Sequence, residues 1–289
     1  MKILITGSRG YIGKNLIDFL SEKNFNIYKL IREKKQSTNN LFWDPVNNIF
    51  DHKIIDGYDV IINLNGQRII KPIIPEKKTE IRDSRINPTK LLVDAINKAS
   101  KPPKLLISAS ASGFYGNRNN EILDENSPKG RGFLSNLVEE WESIQETKKT
   151  RVIHLRLGTV IGKNSPMINM MKKYNSIVGV SSLGNGRNYF PWVGLDDVLG
   201  SIEHIIKNEN IHGPVNITSY KQYILKDVLE DINLRLKPII KLRIPKKIIK
   251  YALGELGVEV ILNNQNIKPK VLLESNYKWI NSTPFSSIS

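Results

Sequence analysis

The sequence predicts an α/β protein built on a doubly wound parallel sheet, with a smaller C-terminal α/β module attached. Three observations predict it. Short β-branched runs alternate with amphipathic stretches through the first half of the chain, the first run ends in a glycine-rich turn, and the alternation loses its regularity beyond Gly162.

Taken in order, the strand-like runs are Lys2–Thr6, Asn26–Ile31, Val60–Leu64, Lys104–Ser108 and Arg151–Leu157. They are short and apolar, as strands buried on both faces are. Helical spacing of apolar residues runs over Tyr11–Glu22, Glu80–Lys98 and Phe133–Thr147, and Pro102-Pro103 breaks the chain before its next strand. Further on, Gly184-Asn185-Gly186 reads as a loop, Pro214–Thr218 as a returning strand, and the Lys- and Ile-rich remainder as mainly helical. The implied division places 1–162 in the sheet domain, with 191–218 returning to it, and assigns 163–190 and 219–289 to the smaller module. No internal repeat or low-complexity linker separates them, so a shared interface is expected.

A chain of 289 residues can bury a sizeable core, and the absence of cysteine removes disulfides, thiolate nucleophiles and cysteine-based metal sites. Only four scattered histidines remain, so no metal site is expected. The N-terminus lacks the long apolar stretch of a signal peptide and no segment is apolar enough to cross a bilayer; a cytoplasmic protein without membrane contact is expected. A net charge of +15 and a pI near 9.7 favour anionic partners. The lysines are spread along the chain instead of forming a basic helix interleaved with aromatics, so a solvated positive surface is expected and nucleic-acid binding is not.

The first strand runs into Gly7-Ser8-Arg9-Gly10-Tyr11-Ile12-Gly13, and a helix follows. Glycines at this spacing permit a tight turn and close approach of the backbone to a pyrophosphate, while the helix N-terminus offers free N–H groups and the positive end of its dipole. In this context the spacing predicts the phosphate-binding turn of a Rossmann-type sheet rather than a merely tight turn. At the end of the second strand, where an NAD-binding site offers an acid to the ribose hydroxyls, stand Leu30-Ile31-Arg32. Arg32 and Arg9 together suit a 2′-phosphate, which points to NADP(H); Glu33 is a neighbour that would repel it.

These features, with Asn63-Leu64-Asn65-Gly66 after a middle strand and Arg156-Leu157-Gly158-Thr159-Val160-Ile161-Gly162, resemble the extended short-chain dehydrogenase/reductase family. Trp43-Asp44-Pro45, Ser84-Arg85-Ile86, the run from Ser108 to Gly116 and Pro191-Trp192-Val193 before Asp196-Asp197 narrow the resemblance. They are similar to an atypical epimerase-like subfamily, labelled sometimes nucleoside-diphosphate-sugar epimerase and sometimes cell-division inhibitor. The resemblance implies that Leu64, Asn65, Gly66 and Ser108 join Ile31 and the turn in binding the cofactor, and that Arg85 points toward its phosphates or ribose. It also brings Arg187 and Trp192 to the substrate side.

The oxidoreductases of that family use a tyrosine as acid/base with a lysine four residues later. No YxxxK occurs in this chain, and the corresponding place reads Phe133-Leu134-Ser135-Asn136-Leu137. Phenylalanine exchanges no proton and leucine stabilises no phenolate. The customary hydroxyl position falls on Ala111, between Ser110 and Ser112, which leaves Tyr115 and Ser110 as the candidate catalytic residues. Two functions are consistent with this pattern: an NADP(H)-dependent epimerase or oxidoreductase with an altered active site, acting on a small molecule such as a nucleotide sugar, or a catalytically silent NADP(H)-binding regulator, as the cell-division label suggests.

Overall fold

A computed structural model describes residues 1–33, 37–67, 69, 78–174 and 178–288. The elements of the first half follow in chain order as β1 (Lys2–Thr6), α1 (Tyr11–Glu22), β2 (Asn26–Ile31), β3 (Asn40–Phe42), β4 (Val60–Asn63), α2 (Lys78–Lys98), β5 (Leu105–Ala111), β6 (Ile122–Leu123), α3 (Phe133–Ser143) and β7 (Arg151–Leu157). The second half adds β8 (Thr159–Ile161), α4 (Pro166–Tyr174), β9 (Val178–Leu183), β10 (Trp192–Gly194), α5 (Leu195–Lys207), β11 (Gly213–Ile217), α6 (Leu225–Leu236), β12 (Ile240–Ile244), α7 (Lys246–Leu262), β13 (Asn266–Ile267) and α8 (Lys270–Glu274).

The main sheet is parallel throughout, in the order β3-β2-β1-β4-β5-β7-β11. Strand order therefore reverses between β1 and β4, and the crevice outside the C-terminal ends of those strands is where such sheets take ligands. Both faces are covered. Leu16 and Leu20 of α1 and Val198, Ile202 and Ile205 of α5 pack on Ile3, Ile5, Ile62 and Ile107, while Leu92, Val93 and Ile96 of α2 pack on Leu4, Ile61 and Leu106 on the other side. Alternate residues of one strand thus serve opposite faces, which is why apolar residues stand at consecutive positions in these runs.

Three short parallel pairs, β8–β10, β9–β12 and β6–β13, attach the rest of the chain. A separate core of Ile168, Trp192, Leu225, Val228, Leu229 and Ile232 stands behind them. The helix expected over Phe133–Thr147 ends at Ser143, because the chain turns there so that buried Gln145 can meet His154 (Oε1 to Nδ1, 2.7 Å). The strand expected at Lys104–Ser108 runs on to Ala111 alongside β7. No helix among the described residues is long and apolar enough to cross a membrane.

Candidate functional site

A cleft of about 340 Å³ opens at the point where strand order reverses. Gly7, Ser8, Arg9 and Gly10 of the turn, Ile31 and Arg32 after β2, and Leu64, Asn65 and Gly66 after β4 line it. The turn is closed by a Gly10 N–H donating to the Gly7 carbonyl at 2.9 Å. Gly7 lies at φ +69, where its missing Cβ leaves room for the Leu64 carbonyl, so the turn and the β4 loop touch backbone to backbone. Gly10 is the N-cap of α1, with no side-chain cap and no acid in the first turn. The N–H groups at the start of α1 are therefore left for a ligand, and an anion is the ligand that helix end favours.

A buried polar row holds the cleft floor. The sheet register sets Thr6, Asn63 and Ser108 side by side. Asn63 accepts from the Thr6 hydroxyl at 2.8 Å and donates to Thr89 (3.1 Å) and Ser108 (3.0 Å), while Asn65 donates to Thr6 and Asn63, both at 2.7 Å. The position expected of Ser108 is corrected by this: fully buried, it supports the floor from beneath and does not line the cleft. Arg85 is corrected likewise. It donates to the carbonyls of Gln67 (2.8 Å) and Ile81 (2.9 Å), lies 5.4 Å over the Trp141 ring and rests against Gly66, so it shapes the β4 loop instead of pointing into the phosphate site. Within the turn, Tyr11, Ile12 and Gly13 serve packing. The Tyr11 hydroxyl donates to the Lys163 carbonyl at 2.9 Å, Ile12 joins the core, and Gly13 lies under the Gly7 carbonyl.

Arg9 makes a two-pronged pair with Glu33, at 2.8 and 2.6 Å, and the carboxylate holds its guanidinium above the ordinary value. Both groups are exposed, so the pair is screened and exchangeable. Leu30, Trp43, Gln67 and Ser84 also line the cleft and were assigned no role from the sequence. For Trp43 and Ser84 a signal existed, since both belong to motifs that stand out in the chain. No group of His, Asp and Glu among the described residues is arranged to hold a metal ion.

A second cavity, of about 160 Å³, lies beyond the ends of β5 and β7. Arg85 lines it and rests against Gly66, which lines the first cleft. Its wall on α3 consists of Leu134, Leu137, Val138 and Trp141, an apolar surface. Tyr115 and Ser110 do not face it. Tyr115 is fully buried, donates to Asn216 Oδ1 at 2.7 Å and accepts from Arg156 at 3.0 Å; burial pushes its phenol up to about 12. Ser110 donates to Glu142 at 2.5 Å. Both hydroxyls belong to an interior network centred on Arg156, which pairs with Glu142 at 2.9 and 2.8 Å and stacks 3.5 Å from the Phe114 ring centre. The expectation of a catalytic role for these two residues is therefore revised to a structural one.

Tyr115→Phe is accordingly expected to leave ligand binding in the cleft unchanged and to cost about 1–3 kcal/mol, because Asn216 and Arg156 lose a buried partner. The phenol's folded value exceeds its unfolded value near 10, so its contribution is complete below pH 10 and declines as pH rises toward 12. Denaturant midpoints of the two proteins from pH 8 to 11 check both points; equal stability throughout contradicts them.

Residues 3–218 match the family model described as NAD dependent epimerase/dehydratase family. The chain belongs to this family. Among its curated relatives, the chloroplastic SDR39U1 homolog of Arabidopsis thaliana is 31% identical over 97% of this chain and 84% of that protein. Epimerase family protein ML0860 of Mycobacterium leprae is 29% identical over 99% of this chain and 94% of that protein. Human epimerase family protein SDR39U1 (isoform 2), solved with NADPH, superposes with a TM-score of 0.86 at 24% identity, covering 99% of this chain and 97% of that one. MoeE5, solved with UDP-glucuronic acid and NAD, does so with a TM-score of 0.76 at 13% identity, over 100% and 97%. Both share the epimerase-family fold.

Against that family fold, two expected substrate-side residues take other places. Trp192 is buried in the second core, edge-on to Tyr223 at 5.6 Å, and its indole N–H meets no acceptor among the described residues. Arg187 is exposed just after the Gly184–Gly186 turn and lines neither space. Their motif neighbours Phe190 and Pro191 reach the second cavity instead. Glu259 of α7, which no sequence signal marked, also lines it.

Proposed function

We propose that this epimerase-family chain binds NADP(H) in the cleft at β1, β2 and β4 and is an epimerase- or oxidoreductase-like protein with an altered active site. The uncapped start of α1 inside that cleft carries the reading: it leaves backbone donors and the positive dipole end where a pyrophosphate fits, and Gly10 adds no side chain there. Arg32 and Arg9 favour the 2′-phosphate, with Arg9 exchanging Glu33 for it; the NADPH in the human relative supports the same choice. Such a cofactor supplies or accepts a hydride. Leu64, Asn65 and Gly66 would pass beneath it, the second cavity would take its reactive end, and 163–190 with 219–289 would form the substrate side.

Arg32→Ala is expected to weaken NADPH by about tenfold or more and to leave NADH unchanged, since a charged hydrogen bond to the phosphate contributes about 1.5–3 kcal/mol. Fluorescence titration of both cofactors checks it. Equal affinities of the wild type for the two, or no effect of the substitution, would defeat the NADP(H) assignment. A second reading, a catalytically silent NADP(H)-binding regulator, is favoured by the apolar α3 wall and the interior position of Tyr115. Tight binding without turnover across carbonyl and nucleotide-sugar panels would select it.

A further inference from the structure

Residues 237–251 stand apart in charge. They hold six cations, Lys237, Lys241, Arg243, Lys246, Lys247 and Lys250, and no acid, whereas the whole chain sets 28 carboxylates against 43 cations. All six are exposed. Glu255 pairs with Lys250 at 2.6 Å and lies near Lys246, while Lys237, Lys241, Arg243 and Lys247 form no ion pair among the described residues. The same stretch leaves its apolar side chains in water. Ile239 is 78% exposed and Tyr251 94%, and Ile240, Leu242 and Ile248 are each about half exposed. β12 pairs with β9 alone, and four of its five residues are exposed. α7 breaks at Gly254 (φ +65). Beyond the break it packs inward: Ile261 and Leu262 rest on the second core, and Glu259 accepts from the Phe133 and Leu134 N–H groups. Before the break only Ile249 is buried, and Ile248 and Tyr251 stand one turn apart on the outer side with Lys247 and Lys250 beside them.

Exposed Ile, Leu and Tyr among cations form a surface that water solvates poorly and that an anionic bilayer complements. The apolar tips enter the headgroup layer, and the lysines lay their stems along it with their charge on the lipid phosphates and carboxylates. We propose that residues 237–251 dock this protein on the surface of a membrane rich in anionic lipid. The contact is peripheral, and it replaces the expectation of no membrane contact drawn from the sequence. None of these residues lines the cleft or the second cavity, so docking leaves both spaces free. Charge and placement favour this occupant over three others. A second copy would bring six cations against six. An acidic peptide added along the free edge of β12 would leave Ile248 and Tyr251 of α7 in water. A nucleic acid would satisfy the cations with phosphates and offer little to four aliphatic side chains.

The test is sedimentation of the full chain with vesicles of phosphatidylcholine, alone or mixed with phosphatidylserine. Binding to the mixed vesicles is expected to be about a hundredfold tighter and to weaken as salt rises. Lys246→Glu with Lys247→Glu is expected to weaken it by about a hundredfold, and Ile248→Ser with Tyr251→Ser by about tenfold. Lys101→Glu with Lys104→Glu makes the same change in net charge outside the patch and is expected to weaken binding by less than about threefold. Every substituted side chain is exposed, and thermal melts check that each variant folds. Equal binding of the wild type to the two vesicles overturns the proposal without any variant. So does an equal loss from the two lysine pairs, which would mean adhesion by net charge, or binding that survives both patch variants. Polyglutamate or duplex DNA that binds the wild type while the mixed vesicles do not would reassign the patch and overturn the membrane as its partner.

Discussion

Replacing Gly10 with valine is expected to weaken pyridine-nucleotide binding by about a hundredfold or more while costing only about 1 kcal/mol of stability. Gly10 has an extended backbone that any residue adopts, and a Cβ there would meet only the Gly7 carbonyl oxygen, at 3.2 Å. The valine therefore has somewhere to go, and that place is the cleft. Gly13→Val is the contrasting case. Its Cβ would be driven into the Gly7 carbonyl and lie 3.1 Å from the Ser8 Cα, both immovable backbone, so the first turn of α1 could not stay on β1. Cofactor titration and thermal melts of the two variants separate a ligand role from a packing role. A folded Gly10→Val protein that still binds NADPH normally would mean that the turn is not the phosphate site.

Glu142→Ala is expected to cost about 3–5 kcal/mol, the second large effect, because it strands a guanidinium in the interior. Arg156 is 4% exposed and gives two of its donors to Glu142. Burial opposes its charge, yet the bonds to Glu142 and Tyr115 hold the guanidinium above its ordinary value. The cost therefore lies in the unpaired partner more than in the pair. Glu142→Leu combined with Arg156→Met is expected to recover most of the loss, and urea midpoints of the single and double variants decide it. A single substitution costing less than about 1 kcal/mol would show that water or another acid reaches Arg156.

Local chemistry made the cleft at the glycine turn legible in advance. The glycine turn carries its own geometry in seven consecutive residues, and Glu33 could be flagged as a neighbour because it adjoins Arg32. The doubly wound parallel sheet followed from alternation, whereas its strand order did not, and the two- and three-residue pairings at β6, β8, β10 and β13 are too short to show a period. Pairings across the fold stayed hidden. Nothing near Ser110 or Tyr115 in the chain announces that register brings Ser110, Arg156 and Asn216 abreast on three strands, and so turns two candidate catalytic hydroxyls inward. Glu259 is separated from the N–H groups it caps by 126 and 125 residues, with an ordinary helical context on its own side.

Two interior carboxylates bind the last part of the chain to the sheet domain. Glu125 accepts from the N–H groups of Asn216, Lys270 and Val271 at 3.0, 3.2 and 3.3 Å, and Asp197 accepts from Ile280 and Asn281 at 2.7 and 3.0 Å. Burial raises both acids above the usual carboxylate range. During synthesis the partners arrive late: 145 residues separate Glu125 from Lys270, roughly 7–30 s of ribosome travel. Throughout that interval Glu125 has no Lys270 or Val271 to bind, so it must stay hydrated and its surroundings must stay open. In the folded chain, the burial of Glu125 therefore depends on N–H groups that the residues near 270 supply from the far end of the sequence.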